Sequence, residues 1–258
     1  MPRVRRLLPI LLLASVLAAC GGSKHAASEP TGPRGLAEAS SRTVASGTAS
    51  FTLSINAVVA GAAVQSHERG TISFTDRKAH LYKLVPGGGL PQEIVLDGPF
   101  EYTNADVAEA MNDSTVKPWT KLDTRRVPAA QRNRYPDELA EVRIVAYLAD
   151  GVAGAKRIGA AAVGGETHFR GVVDPARVVA KAPAAQRAAL RIAVSNQYLT
   201  TPFPADFWLD SAGRVRRVLV DYRTAGGGRI VVDAGFSDFG VKVDLDVPPA
   251  SQMQDITP

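Results

Sequence analysis

From Phe51 to Asn56 apolar and polar residues alternate one for one, Phe51, Leu53 and Ile55 against Thr52, Ser54 and Asn56. Successive side chains of an extended chain point to opposite faces, so this period of two specifies a strand with one buried and one solvated face. The fold must supply a cover for that buried face. Thr71 to Thr75 repeats the alternation with Ile72 and Phe74, after a turn region centred on Gly61. Ala79 to Val85 follows the turn at Asp76-Arg77-Lys78 and stops at Pro86-Gly87-Gly88-Gly89. Glu93 to Leu96, Phe100 to Tyr102 and Trp119 to Leu122 are shorter runs of the same kind. The N-terminal half therefore reads as an antiparallel meander joined by short turns.

Helical spacing appears at three places. Leu36, Ala39, Thr43 and Val44 share one face of a short helix ahead of the first strand. From Tyr135-Pro136-Asp137 onward, Leu139, Val142, Ile144, Val145, Tyr147 and Leu148 are apolar nearly all round, so this helix should be covered on both sides. Asp150-Gly151 ends it. Pro183 opens a third helix running to about Asn196, with proline at a favoured first-turn position. Ile158 to Val163 pairs with Glu166 to Val173, and Phe207 to Asp210 with Val215 to Tyr222 across Ser211-Ala212-Gly213. Arg229 to Phe236 closes the series. Strands, then helices, then strands again predict an α+β fold with a mostly antiparallel sheet.

The first twenty residues belong to export rather than to the fold. Arg3, Arg5 and Arg6 form a basic leader, Leu7 to Ala18 a short apolar stretch, and Leu17-Ala18-Ala19-Cys20 a lipobox. The sequence thus divides into a signal peptide at 1–19, a lipidated Cys20 with a Gly/Ser/Ala/Pro-rich tether to Arg34, and a single domain over 35–258. Two or three acyl chains on Cys20 give stable anchoring at the outer face of the cell membrane. Cys20 is the only cysteine of the 258 residues, which excludes a disulfide scaffold and leaves no thiol for metal or catalysis. Of 30 basic residues the leader takes three, and the remaining 27 face 25 acids, too even a balance for a nucleic-acid binder. With 45% hydrophobic residues the chain is not disordered, and no later apolar run approaches the ~20 residues of a membrane span.

Enzyme motifs are missing: there is no Gly-x-Ser-x-Gly elbow, His-Glu-x-x-His or phosphate-binding loop. His25, His67, His80 and His168 are scattered and read as surface or satisfied-core histidines. Gly87–Gly89 and Gly226–Gly228 read as loops between strands. No cofactor or metal is expected. One basic cluster, Lys121, Arg125, Arg126, Arg132 and Arg134, is opposed only by Asp123. Arg125 and Arg126 are candidates for contact with anionic headgroups, worth about 1 kcal/mol each near a charged surface.

In combination, SGTASFTLSI, GTISFTDRKAHLYKL, GGETHFRGVVD, FWLDSAGRVRRVLVDY and FSDFGVKVDLDVPPASQMQDI resemble the LppX/LprG family of actinobacterial lipoproteins. That family shares the fold of the LolA/LolB lipoprotein carriers. The resemblance covers about Gly35 to Ile256. It implies a strongly curved antiparallel half-barrel closed by helices around an apolar cavity, in a monomer that binds and carries acylated lipids or lipoglycans, sometimes beside a membrane exporter. On that reading Phe51, Leu53, Ile55, Ile72, Phe74, Ile94 and Leu96 form the candidate cavity face. The same residues also suit a solid core, and the alternative function is a non-carrier interaction or sensor lipoprotein on the same fold.

Overall fold

The computed structural model describes residues 33–59, 62–84, 91–104, 113, 115–135, 137–160, 165–196, 201–223 and 227–258. The signal peptide, Cys20 and most of the tether lie outside the described residues. Pro33 and Arg34, assigned from sequence to the tether, already belong to the first helix.

Two short helices, α1 (Pro33–Ala37) and α2 (Ala39–Ala45), precede the sheet. A six-strand meander follows: β1 (Thr48–Val59), β2 (Ala62–Ser73), β3 (Lys78–Leu84), β4 (Gln92–Asp97), β5 (Phe100–Thr103) and β6 (Trp119–Asp123). A helical passage leads through α3 (Ala140–Tyr147) to a second meander, β7 (Val152–Ala160) to β11 (Arg229–Ser237). In between run β8 (Thr167–Val173), helices α4 (Pro175–Lys181) and α5 (Ala184–Asn196), β9 (Phe203–Leu209) and β10 (Val215–Arg223). β12 (Met253–Asp255) ends the order. The two meanders join where β11 lies antiparallel to β1, Phe51 opposite Phe236 and Leu53 opposite Ala234. One open sheet of twelve strands results, in the order β12-β6-β5-β4-β3-β2-β1-β11-β10-β9-β8-β7. Among the described residues only β12, against β6, runs parallel.

The alternation sorts the two faces. Ala49, Phe51 and Leu53 point inward with Ile72, Leu81, Ile94, Leu96, Phe207, Val218 and Phe236, and all are buried in one core with residues of the helices. The helix over 140–147 is covered all round as its composition requires: Val142, Ile144, Val145, Ala146 and Tyr147 are all buried. Thr43 fixes α2 to the second meander, its hydroxyl donating to Ala39 O (2.7 Å) and accepting from the Val215 amide (2.8 Å).

The sheet is at its tightest where a side chain is missing. A Cβ on Gly70 would lie 2.1 Å from the His80 carbonyl oxygen and 2.7 Å from Leu81 Cα. β3 therefore closes on β2 at a distance only glycine permits, which fits the use of strand glycines at close backbone approaches. The edges of the open sheet are blunted. β7 carries two register shifts and the exposed charges Lys156 and Arg157, and β12 is three residues long.

After β11 the chain crosses to the far edge of the sheet. Gly240 donates to Thr48 O (2.9 Å), Thr48 Oγ1 donates to Val241 O (2.5 Å), and β12 then pairs with β6. This strap covers the outer face. Val95 and Tyr102 point outward and are buried, Pro248 of the strap is buried, and the charge of Asp246 acts on the Tyr82 hydroxyl. Gly70→Ala should lower stability by about 1–3 kcal/mol or more, the usual cost of overpacking. Urea unfolding measures it, and an unchanged midpoint would contradict the close approach.

Candidate functional site

All seven sequence-predicted cavity residues lie on the helix-covered face. Phe51 and Ile94 stand in one cross-strand row through Gly70 and Leu81. Ile72 and Leu96 stand in another through Ala79. Leu53, Ile55 and Phe74 keep the same parity. Toward α2 the face is solid: Ile72 and Leu96 are 0% exposed, Phe74 1% and Phe51 3%, and Phe74 packs edge-on against Phe236 at 5.6 Å between centroids. Toward the far end of β1 it loosens. Ile55 and Ala57 are half-buried, opposite Val232 and Ile230 of β11. Tyr222 of β10 stacks on Phe203 of β9 (5.4 Å), and Val194 of α5 packs against the same core. These residues leave an apolar bay, an unclosed patch of the inner face over β1, β11, β10 and β9.

On the other half of the inner face the row beyond Leu53 is charged. Glu68 of β2 lies opposite Leu53, Lys83 of β3 opposite Glu68, and Gln92 of β4 opposite Lys83. Lys83 Nζ lies 3.3 Å from Glu68 Oε1 and 3.0 Å from Glu138 Oε2. A second group, Glu101–Arg77 (3.0 Å) and Arg77–Asp137 (3.6 Å), sits beside it. Arg143 of α3 donates to the carbonyls of Asp76 (2.5 Å) and Ser73 (3.4 Å). These ion pairs fasten the start of α3 to the sheet. The Leu53 row thus turns from apolar on β1 to charged on β2 and β3.

The electrostatics follow from burial. Desolvation pushes the Glu68 carboxyl up to about 7 against the opposing pull of Lys83. Burial pushes Glu101 up to about 7 in the same way, with Arg77 pulling it down. Lys83 loses by burial, but Glu68 and Glu138 outweigh that and its pKa is raised. A single ammonium shared between two carboxylates does not repay the desolvation of both.

The basic cluster sits elsewhere. Asp123 at the end of β6 shares a row with Phe100, Asp97 and Lys78, at the Thr48 end of the sheet. Ala57 lies roughly 30 Å away along β1 at ~3.3 Å per residue. Arg125 is held by Asp123 in two hydrogen bonds (2.9 and 2.7 Å) and lies over the Phe100 ring at 5.2 Å. Arg126 is exposed in the same turn. The structure therefore does not bring Arg125 and Arg126 together with the apolar bay. His80 and His168 each rest against a carboxylate, Glu93 at 2.7 Å and Asp206 at 2.6 Å. Among the described residues no group of three or more His, Cys, Asp or Glu could hold a metal ion, and no helix is long and apolar enough to cross a membrane.

No protein-family model and no curated protein matches the sequence. Solved structures do match. LprF from Mycobacterium bovis superposes with a TM-score of 0.51 at 13% identity, over 84% of this chain and 97% of that one. The chain has the fold of LprF. The lipoprotein LppX from Mycobacterium tuberculosis gives 0.45 at 12% identity, over 81% and 98%. A LolA superfamily protein from Nitrosomonas europaea gives 0.27 at 9%, over 84% and 94%. The resemblance expected from the sequence is thus met at the level of fold, by LprF, with an open, mostly antiparallel sheet in this chain.

Glu68 supplies a test of this geometry. Its value, raised from an ordinary 4.5 to about 7, means that the folded chain holds a proton which the unfolded chain has released. That contribution to stability is complete below about pH 4.5 and is lost as pH rises through 7. Glu68→Gln should shrink the stability difference between pH 5 and pH 8 by up to about 3 kcal/mol, at ~1.4 kcal/mol per pKa unit. Urea titrations at the two pH values measure it, and equal slopes in both proteins would refute the raised value.

Proposed function

We propose that the protein is a membrane-anchored lipoprotein that binds acylated lipids or lipoglycans in the apolar bay and carries them within the cell envelope. The observation that carries this reading is the gradient along β1, from solid core at Phe51 to half-buried Ile55 and Ala57. Withdrawing a 16-carbon chain from a bilayer into water costs roughly 13 kcal/mol, at ~0.8 kcal/mol per methylene. An apolar bay removes most of that cost and makes transfer close to isoenergetic. The inner face changes character at β2, so an amphiphile fits with its chains along β1, β11 and β10 and its polar end toward Ser66, Glu68 and Lys83.

The tether suits this role. Twelve residues separate Cys20 from Pro33, and the thirteen steps between them span at most about 45 Å. A lipidated Cys20 keeps the domain within reach of the outer leaflet, the source of cargo and the site of an exporter partner. Cys20→Ser should move the protein from the membrane to the soluble fraction. Retention on the membrane would contradict anchoring at this residue.

Native mass spectrometry of protein purified from its own membranes in mild detergent tests the cargo. A bound acylated lipid is expected at near one to one, and Ala57→Trp should lower its occupancy at least threefold by narrowing the bay. Protein that stays empty after incubation with membrane extract would favour an interaction or sensor lipoprotein instead.

A further inference from the structure

The outer face of the sheet carries an open trough of about 700 Å³. Its floor is the outward side of β1, where Thr52, Ser54 and Asn56 are short and polar. One wall is Arg69 and His67 of β2 with Tyr82 of β3, and the other includes Asp233 of β11. The depth follows from the sequence: β1 presents short hydroxyl and amide side chains beside the long ones of β2 and β3. Thr52 has Arg69 and Tyr82 on one side and the bare Gly235 on the other, Ser54 lies between His67 and Asp233, and Leu84, Pro91 and Val231 add apolar surface to the walls.

The charges in the trough are unevenly satisfied. Asp233 is neutralised by Arg217 in a two-point contact of 2.8 and 2.7 Å. Tyr82 donates to Glu93 (3.2 Å), which leaves its ring as an exposed wall. Arg69 and His67 have no hydrogen-bond or ion-pair partner among the described residues. An uncompensated guanidinium over a row of hydroxyls and an amide, beside an aromatic ring, sets the chemistry of an occupant. Asn56 Nδ2 donates to Ser54 Oγ (3.1 Å), and hydrocarbon laid over the floor would leave its remaining donors and acceptors unpaired. A peptide has no free strand edge to pair with, because β1, β2 and β3 are each paired on both sides. Sugar hydroxyls pair with the Thr52, Ser54 and Asn56 side chains, a ring face covers Tyr82, and an acidic substituent meets Arg69 in a charge-assisted bond.

We propose that the trough over Thr52, Ser54 and Asn56 binds an anionic carbohydrate, its acidic group on Arg69. The site lies across the sheet from the apolar bay and does not depend on lipid carriage. The sugar has two possible sources, a free envelope glycan or the headgroup of a lipid, and two probes separate them.

Calorimetry on the full chain in mild detergent at low ionic strength uses a hyaluronan hexasaccharide as the soluble probe and dioctanoyl phosphatidylinositol as the lipid-borne one. Binding of either is expected to weaken at least tenfold in both Arg69→Gln and Ser54→Trp, while the Arg69→Gln variant keeps its unfolding midpoint. Binding of the hexasaccharide assigns the trough to a free glycan, and Arg69-dependent binding of the phosphatidylinositol alone assigns it to a headgroup. Binding of neither probe, or binding that Arg69→Gln leaves unchanged, overturns the proposal.

Discussion

A sheet has two faces, and in this chain the core residues of β1 and its neighbours all point to one of them. That constraint organises the molecule. Twelve strands in one sheet generate far more apolar surface than one helix can cover, so cover arrives from three places in the chain. α1 and α2 come before β1, α3 comes between the meanders, and α4 and α5 interrupt the second meander. The strands themselves pack closely, and at Gly70 that closeness depends on the absence of a side chain. The outer face needs cover only near Val95 and Tyr102, which a strap of irregular chain provides.

The inner face is not uniform, and its division gives the structure a functional direction. β1, β9, β10 and β11 present an unbroken apolar surface, whereas β2 and β3 bring Ser66, Glu68 and Lys83 to the same face. Buried ion pairs seldom stabilise a fold outright. Here Lys83, Arg77 and Arg143 also hold the start of α3 through Glu138, Asp137 and backbone carbonyls. The polar half thereby locates the helical cover, and the apolar half is left for the core and, on the proposed function, for an acyl chain.

Much of this was legible in the sequence because parity is a rigid rule. Phe51, Leu53, Ile55, Ile72, Phe74, Ile94 and Leu96 share a face as their alternation requires. Ile230, Val232, Ala234 and Phe236 alternate in the same way, but the sequence placed Arg229 to Phe236 only as a strand, because its pairing with β1 is not written in its own period. Glu68 was missed because β2 reads as a strand only from Thr71, although parity with Ile72 carried back through Gly70 places Glu68 and Ser66 inward. Helix α4 was missed despite the Asp174-Pro175 pair, whose carboxylate caps the Ala176 amide at 2.9 Å. The strap has no period to detect, since its register is set by Thr48 and β6, distant in sequence. The trough escaped notice because it arises from side-chain lengths compared across four strands. Sheet curvature is likewise a tertiary property, and it entered the sequence reading only through the family resemblance.

The central claim is that an acyl chain enters the inner face beside Ile55 and Ala57. Methyl-resolved NMR with a doxyl-labelled stearate tests it most directly. The account predicts strong broadening of the Ile55, Ala57, Ile230 and Val232 methyls, with the Ile72 and Leu96 methyls in the solid core little affected. Broadening centred on Thr52 and Val231 of the outer face, or none at saturating label, would contradict it.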